Sequence, residues 1–452
     1  MKKILVLTLA AFALVATACN NNKKVNKNMP DVQLMTLDPG HFHAALVQKY
    51  MYKDVSDRVY VFAPDGPDVE LHLARIDAFN KRGDNPTAWM EEVYRGEDFF
   101  EEMLRQKPGN VVVLSGNNAK KSAYILESVK EGINVLADKP MVISPEDYPV
   151  LEKAFETARE KGVLIYDIMT ERYEINTMIQ KALSQVPELF GELENGTPDN
   201  PAVTKESVHH FFKYVSGVAL QRPPWFFDTR QQGEGIVDVT THLVDLIQWE
   251  CYPGVTLNTS DIEIYSGKRW PTKMTPEEFE RVTATEEFPG YLEGDIVDGN
   301  LNCYANGEIV YKIKDTWAKV SVEWKYQAPE GTGDTHYSIM RGSRCDLIIK
   351  QGDEEDFKPA LYIQSHQGDI SDLLPGVLAG LEWEGITFEK TAQDLWRLNV
   401  PDKYKVGHEA HFGQVTEKFL DYLKKGKLPD WEVPNMLVKY YTTTRALKKA
   451  ME

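Results

Sequence analysis

In the segment GEGIVDVTTHLVDLIQW, Gly233 to Trp249, an acid and an imidazole stand four residues apart, Asp238 and His242. On a helix, residues i and i+4 lie one above the other, so both side chains project together from the start of an otherwise apolar run. An imidazole titrates near neutral pH and, held by an oriented partner, can take a proton from a hydroxyl. The same spacing also suits a helix cap and a packed interior histidine. A cation comes from INVLADKPMV, where Lys139 and Pro140 follow an apolar strand-like run. A lysine just beyond a buried strand end can hydrogen-bond a substrate hydroxyl and stabilise negative charge developing on its oxygen. A solvated surface lysine is the alternative.

The elements that must position these groups can be read from the chain's periodicity. The short runs VQLMTL, RVYVFA, VVVLSG, INVLAD and VLIYDIM are separated by helical stretches, among them AALVQKYMY after the first run and a helix-rich span to Gln106 after the second. That alternation predicts a parallel sheet buried on both faces, with a ligand crevice at the carboxyl ends of its strands. The first turn, LDPGHFHAALV, has Gly40 alone where a dinucleotide loop would supply three glycines. A helix beginning near His41 and Phe42 would still offer free amides and a positive dipole end to a diphosphate. Asp65, after the second strand, stands where a ribose-binding acid belongs, although an ordinary turn aspartate is equally consistent. Past about Tyr166 the pattern changes: KVSVEWKY alternates with period two, as a half-buried antiparallel strand does, and Asn306-Gly307 predicts a hairpin turn. The expected fold is α/β. A Rossmann-type doubly wound parallel sheet spans 31–165. An α+β substrate domain with a large, mainly antiparallel open sheet and C-terminal helices spans 166–452.

The chain has 452 residues, 42% of them hydrophobic, and a net charge of -18, which argues against a nucleic-acid partner. The opening MKKILVLTLAAFALVATAC has a Lys2-Lys3 start, a short apolar run and Ala16-Thr17-Ala18 before Cys19, the order of an export signal. It predicts a signal peptide over 1–18, lipidation of Cys19 and a polar tether over 19–30. The protein is therefore expected as a lipid-anchored exported lipoprotein facing the periplasm or cell exterior. Cys251, Cys303 and Cys345 are too few and too scattered for a disulfide framework or a metal pattern. No metal site is expected.

As a set, these motifs resemble the superfamily of glucose–fructose oxidoreductase, inositol dehydrogenase and MocA. Asp138-Lys139-Pro140 is similar to its Glu-Lys-Pro, and Ser115-Gly116-Asn117-Asn118 to its Ala-Thr-Pro-Asn strand end. Arg172-Tyr173 matches its arginine–aromatic pair, Trp225 to Asp228 its W-x-F-D, and Gly233 to His242 its glycine-rich approach to Asp-x-x-x-His. Two features depart from the pattern: the single-glycine first loop, and Thr240 in place of a glycine. The wording DPGHFHAALVQ, TERYE and RPPWFFD resembles a lipoprotein branch of oxidoreductases. The resemblance implies a catalytic trio in which His242 accepts the substrate proton, Lys139 polarises the oxygen and Asp238 orients the group. It implies NAD or NADP as cofactor, with NAD favoured, held by Gly40, His41, Phe42, Asp65, Asn117, Asn118, Lys139 and Pro140. It places Arg172, Tyr173, Lys213 and Trp225 around a small carbohydrate, with His209 and His210 nearby, and suggests self-association through the C-terminal sheet. Because export leaves dissociable nicotinamide scarce, a tightly held cofactor is expected. Three activities follow: a sugar or polyol dehydrogenase, a redox-neutral NAD-dependent glycosidase, and a non-catalytic sugar-binding lipoprotein.

If Cys19 carries the lipid, Cys19→Ala yields a folded, soluble and unanchored protein. Labelled fatty acid that still incorporates into this variant contradicts the assignment.

Overall fold

The apolar, β-branched runs form the centre of a six-stranded parallel sheet in a computed structural model that describes residues 32–215 and 218–452. Cys19, the signal-like run and the tether lie outside the described residues. The strands are β1 (Leu34–Leu37), β2 (Arg58–Ala63), β3 (Met90–Arg95), β4 (Val111–Leu114), β5 (Asn134–Asp138) and β6 (Ile165–Ile168), in the order 3-2-1-4-5-6. The order reverses between β1 and β4, which places the crevice at their carboxyl ends. Around the sheet lie α1 (His43–Leu46), α2 (Pro67–Lys81), α3 (Phe99–Gln106), α4 (Lys121–Lys130) and α5 (Tyr148–Lys161).

Two local expectations fail here. The helix-rich span to Gln106 contains β3, whose MEEVYR mixes charged and apolar residues and lies at the sheet's edge, where none of its residues is fully buried. The helix expected over AALVQKYMY closes after Leu46. The carbonyls that would continue it are taken by side chains: Val47 O accepts from Tyr52, Gln48 O from Trp89 Nε1 and Lys49 O from Arg82.

After β6 come a 3-10 turn (Thr170–Tyr173), α6 (Ile175–Ser184), β7 (Val203–Phe212), a second 3-10 turn (Pro224–Phe227), α7 (Thr229–Gln232) and α8 (Thr240–Cys251). β7 belongs to a ten-stranded sheet, running parallel to Thr316–Gln327 and antiparallel to Thr335–Arg341. All other pairings in that sheet are antiparallel. The expected hairpin at Asn306-Gly307 is absent: the strand Asn300–Ile313 runs straight through it, and the chain turns at Lys314, which has φ +50°. Asn306 instead fills an irregularity, accepting from Trp324 N and donating to Trp270 O and Thr272 Oγ1.

The two domains are not consecutive in sequence. Phe412, Val415 and Phe419 from the helix His408–Lys425, with Met436 and Tyr440 from the terminal helix Glu432–Met451, pack into the core of the parallel sheet. The expected division at 165/166 is corrected accordingly: β6 reaches Ile168, and the C-terminal helices complete the first domain as well as the second.

α8 is fixed from below by buried charges. Asp245 on α8 accepts two bonds from Arg172, at 2.6 and 2.7 Å, and one from Lys439 at 2.8 Å. Arg172 also reaches Glu432 at 2.8 Å, and Lys439 reaches Asp167 on β6 at 2.5 Å. Removing one partner of such a set strands a buried charge, so the geometry is strongly determined. From above, the chain entering α8 lies directly on the strand Asn300–Ile313: a Cβ on Gly235 would sit 1.8 Å from Ala305 O, and one on Gly307 2.6 Å from Ile236 Cβ. Both contacts are rigid.

Gly235→Ala must therefore displace backbone, and we expect it to destabilise the fold by at least about 1–3 kcal/mol. Urea unfolding measures this. A midpoint equal to that of the parent would show that the approach to α8 has room to spare.

Candidate functional site

The carboxyl ends of β1, β4 and β5 meet the segment that leads into α8. Asn118 N–H and Ala119 N–H donate to Gln231 O at 3.0 and 3.1 Å. Asn118 Nδ2 donates to Gln232 O, and Asn117 Nδ2 to Gln231 Oε1, both at 2.7 Å. The two asparagines thus stitch α7 onto the end of β4, and their amides are spent on that join rather than turned toward a nucleotide. Gly116 is required nearby, because a Cβ there would lie 2.0 Å from Asp38 O.

This join brings the expected trio together. Lys139 Nζ donates to Asp238 Oδ1 at 2.6 Å, with both side chains at most 10% exposed. Gln232 Nε2 holds the other carboxylate oxygen at 3.1 Å. Thr240 is accommodated because its hydroxyl bonds back to Ile236 O at 2.6 Å. One side of His242 is free: its Nδ1 is buried with no hydrogen-bond partner among the described residues. Burial, aided by the Lys139 charge and opposed by Glu171, pushes the His242 pKa down to about 3. The imidazole is neutral at physiological pH.

Beyond the trio lies a second group. Asp138 accepts from His43 Nδ1 and Ser115 Oγ, each at 2.9 Å, and His41 Nδ1 lies 3.7 Å away. Lys121, buried at 2% exposure, donates to Asn118 Oδ1 and Asp138 O; burial lowers its pKa to about 8. Burial also lowers His43 to about 4 and His41 well below the usual range. Against the opposing effect of burial, His43, His41 and Lys121 hold the Asp138 carboxyl well below its ordinary value. Glu171, His408 and His411 complete the histidine-rich rim, with His408 Nδ1 3.4 Å from Glu171 Oε1. Sequence reading placed His41 with the cofactor and quoted Ser115 and Asp138 only within longer motifs; it singled out none of His43, Lys121, Glu171, His408 and His411. His43 and His411 were hidden inside helical runs, although the HFH spacing was visible.

The expected diphosphate cradle differs from its expectation. Gly40 N–H bonds Asp38 O at 2.8 Å and His41 N–H bonds Ser115 O at 3.1 Å, so neither amide is free. Trp225 covers the turn: a Cβ on Gly40 would lie 2.7 Å from its ring, and its Nε1 donates to Asp68 Oδ2 at 2.7 Å. Trp225, expected beside a carbohydrate, thus stands over the first turn of the parallel sheet. Next to it is a cavity of about 250 Å³ lined by Asp38, Pro39, Asp65, Gly66, Trp225 and Tyr291. Asp65 sits at its edge, paired with Arg95 at 3.0 Å. Asp38, through burial and then the neighbouring Asp68, has its pKa raised to about 6. Phe42 and His41 border a much narrower crevice with Arg222 and Phe226. Pro140 follows Lys139 through a cis peptide bond.

The expected sugar contacts fare unevenly. Arg172, expected at the carbohydrate, is buried in the charge network beneath α8, with its guanidinium bonded to Asp245 and Glu432. Tyr173 packs against the core of the first domain, near Arg172 and Tyr422. Lys213 is ion-paired to Asp334, which also holds His209 and His210 at 3.1 and 3.2 Å. His209 stacks on Trp324. Cys251, Cys303 and Cys345 are free thiols.

Comparison with known proteins now decides the family. Residues 179–451 match the family model described as "Putative oxidoreductase C terminal domain". The chain belongs to that family. It is 53% identical to a crystallised "putative oxidoreductase" from Parabacteroides merdae, covering 94% of this chain and 98% of that one with a TM-score of 0.91. Its fold is that of the glucose–fructose oxidoreductase, inositol dehydrogenase and MocA superfamily. More distant members of the fold include KijD10, a 3-ketoreductase from Actinomadura kijaniata in complex with NADP and TDP-benzene (12% identity, TM-score 0.56, 92% and 97% coverage). GenD2 from gentamicin A biosynthesis, in complex with NAD, is another (13% identity, TM-score 0.56, 93% and 94% coverage). No curated protein matches the chain. Among the described residues, no helix of this oxidoreductase-family member is long and apolar enough to cross a membrane.

The depressed histidines have a consequence for stability. His43, His72, His242 and His411 titrate at about 3 to 4 in the fold, against an ordinary 6.5. Between those values the unfolded chain binds protons that the folded chain does not, so stability falls as pH drops from about 6.5 toward 4. Each histidine contributes on the order of 1 kcal/mol per pH unit. Urea unfolding at pH 7, 6 and 5 should show that decline. Equal stabilities at the three values would mean that these imidazoles are solvated.

Proposed function

We propose that this protein is an exported, lipid-anchored oxidoreductase that uses NAD or NADP to oxidise or reduce a hydroxyl-bearing carbon of a small carbohydrate. The observation that carries this reading is the Lys139–Asp238 pair, 2.6 Å apart, beside His242, whose Nδ1 is buried and unpartnered among the described residues. Membership of an oxidoreductase family supports it, as do the NADP and NAD complexes of KijD10 and GenD2. The preference for NAD stays part of the proposal.

A nicotinamide, when bound, supplies the hydride acceptor. The remaining work falls to this chain's own side chains. His242 accepts the hydroxyl proton, and its lowered pKa keeps the imidazole neutral through the neutral range. Lys139 donates to the same oxygen as charge develops on it. Asp238, clamped by Gln232, aims the ammonium. The cavity bounded by Asp38, Pro39, Asp65 and Gly66 suits the adenosine end of the cofactor. Trp225 covers Gly40, so a diphosphate held at that turn would require the indole to move aside. That closed turn is also the observation that favours a second reading, a sugar-binding protein that does not turn over.

Mass spectrometry of small molecules released from the purified protein tests for a nicotinamide, and the second reading expects none. His242→Ala should lower turnover by about 10² to 10⁴ with cofactor binding retained, and Lys139→Ala should also depress turnover. A His242→Ala protein with a lowered melting temperature but normal specific activity would make the Asp238–His242 turn a packing feature and remove the enzyme reading's main support.

A further inference from the structure

The group around Asp138 is built from different residues than the catalytic trio and has its own chemistry. His41 and His43 leave the first turn two residues apart, and Asp138 comes from the end of β5. One donor atom from each lies within 4.8 Å of the others. Three protein donors of this kind, two imidazoles and a carboxylate, make a first coordination sphere for a borderline divalent metal with further positions left for water. Tetrahedral bonds of about 2.0–2.2 Å place donors roughly 3.3–3.6 Å apart, close to the 3.7 Å between His41 Nδ1 and Asp138 Oδ2. His43 Nδ1, which donates to Asp138 at 2.9 Å, gives up that bond and carries its proton on Nε2 when it ligates.

Lone pairs sharpen the case. The His43 backbone N–H points at His41 Nδ1, 3.4 Å away, which makes that nitrogen an acceptor. The same nitrogen faces Asp138 Oδ2, which is also an acceptor. Two acceptors facing one another across 3.7 Å with no proton between them are mutually repulsive, and a cation resolves the conflict. Ser115 Oγ supports the carboxylate as an outer partner, the arrangement that orients metal ligands. His41 borders the narrow crevice lined by Gly40, Arg222 and Phe226.

Nearby positive charge sets the selectivity. Lys139 is neutralised by Asp238, whereas Lys121 has only the neutral Asn118 Oδ1 and Asp138 O as partners. A hard cation that relies on carboxylate charge gains little beside that ammonium. A metal with strong imidazole affinity gains far more.

We infer that His41, His43 and Asp138 bind one divalent ion of the zinc–cobalt–nickel class, in preference to magnesium or calcium. The inference stands apart from the redox reading, since its test involves neither nicotinamide nor turnover. Chelator-treated protein lacking the lipid anchor is titrated with Zn²⁺, Co²⁺ and Mg²⁺ by calorimetry, and bound metal is counted after gel filtration. Expected are one equivalent of Zn²⁺ or Co²⁺, no measurable Mg²⁺, and a rise in melting temperature with Zn²⁺. His41→Ala leaves the His43–Asp138 bond in place and should fold. It and His43→Ala should each weaken zinc binding about a hundredfold or more, whereas His408→Ala should not. Absence of stoichiometric zinc in the parent overturns the inference. So does binding that survives both the His41 and His43 substitutions, or binding that follows His408 instead.

Discussion

Everything at the crevice depends on where α8 starts, and that is set by a cluster of charges with almost no access to water. Asp245 lies one helical turn beyond His242 and is gripped by Arg172 and Lys439. Lys439 binds Asp167 at the end of the parallel sheet, and Arg172 binds Glu432 on the terminal helix. The cluster therefore joins β6, the following 3-10 turn, α8 and the last helix of the chain in a single bonded set. Apolar residues of similar volume would fill the same space without fixing a direction. Paired charges in a low-dielectric interior tolerate far less displacement. Rigidity at Asp245 passes one turn up the helix to His242.

The opposite side of the approach is constrained by volume rather than charge. Gly235 and Gly307 let the chain entering α8 lie flat on a strand of the large sheet, and Asn117 and Asn118 hold α7 against β4. Asp238 thereby comes within 2.6 Å of a lysine 99 residues away in sequence. The site is thus built at a seam. Each domain supplies one half of the ion pair, and Asn117, Asn118, Gln231 and Gln232 bond across the join.

The first turn of the parallel sheet shows the same economy of hydrogen bonds. Its amides bond within the turn and to β4, Trp225 lies over Gly40, and HFH directs two imidazoles inward to Asp138. A Gly-rich loop would present bare backbone to a ligand. This loop presents side chains.

The sequence by itself determined the class of both sheets, because period-two and continuous apolar runs report burial on one face or two, a local property of each strand. It also determined that Lys139, Asp238 and His242 belong together. The strand-end position of Lys139 and the spacing of the other two are short-range features, and the family pattern joined them. Tertiary structure decided what depends on distant partners. Arg172 looked like a sugar ligand until Asp245 and Glu432 were seen to enclose it. The helix after Gly40 ended early because Trp89 and Arg82 captured its carbonyls. Asn306-Gly307 stayed within a strand because Ile236 needed the space above the glycine and Trp324 N–H needed the asparagine's oxygen. In each case a hydrogen bond or a steric contact from far along the chain outweighed a local preference worth about 1 kcal/mol or less, and no local pattern carries that information.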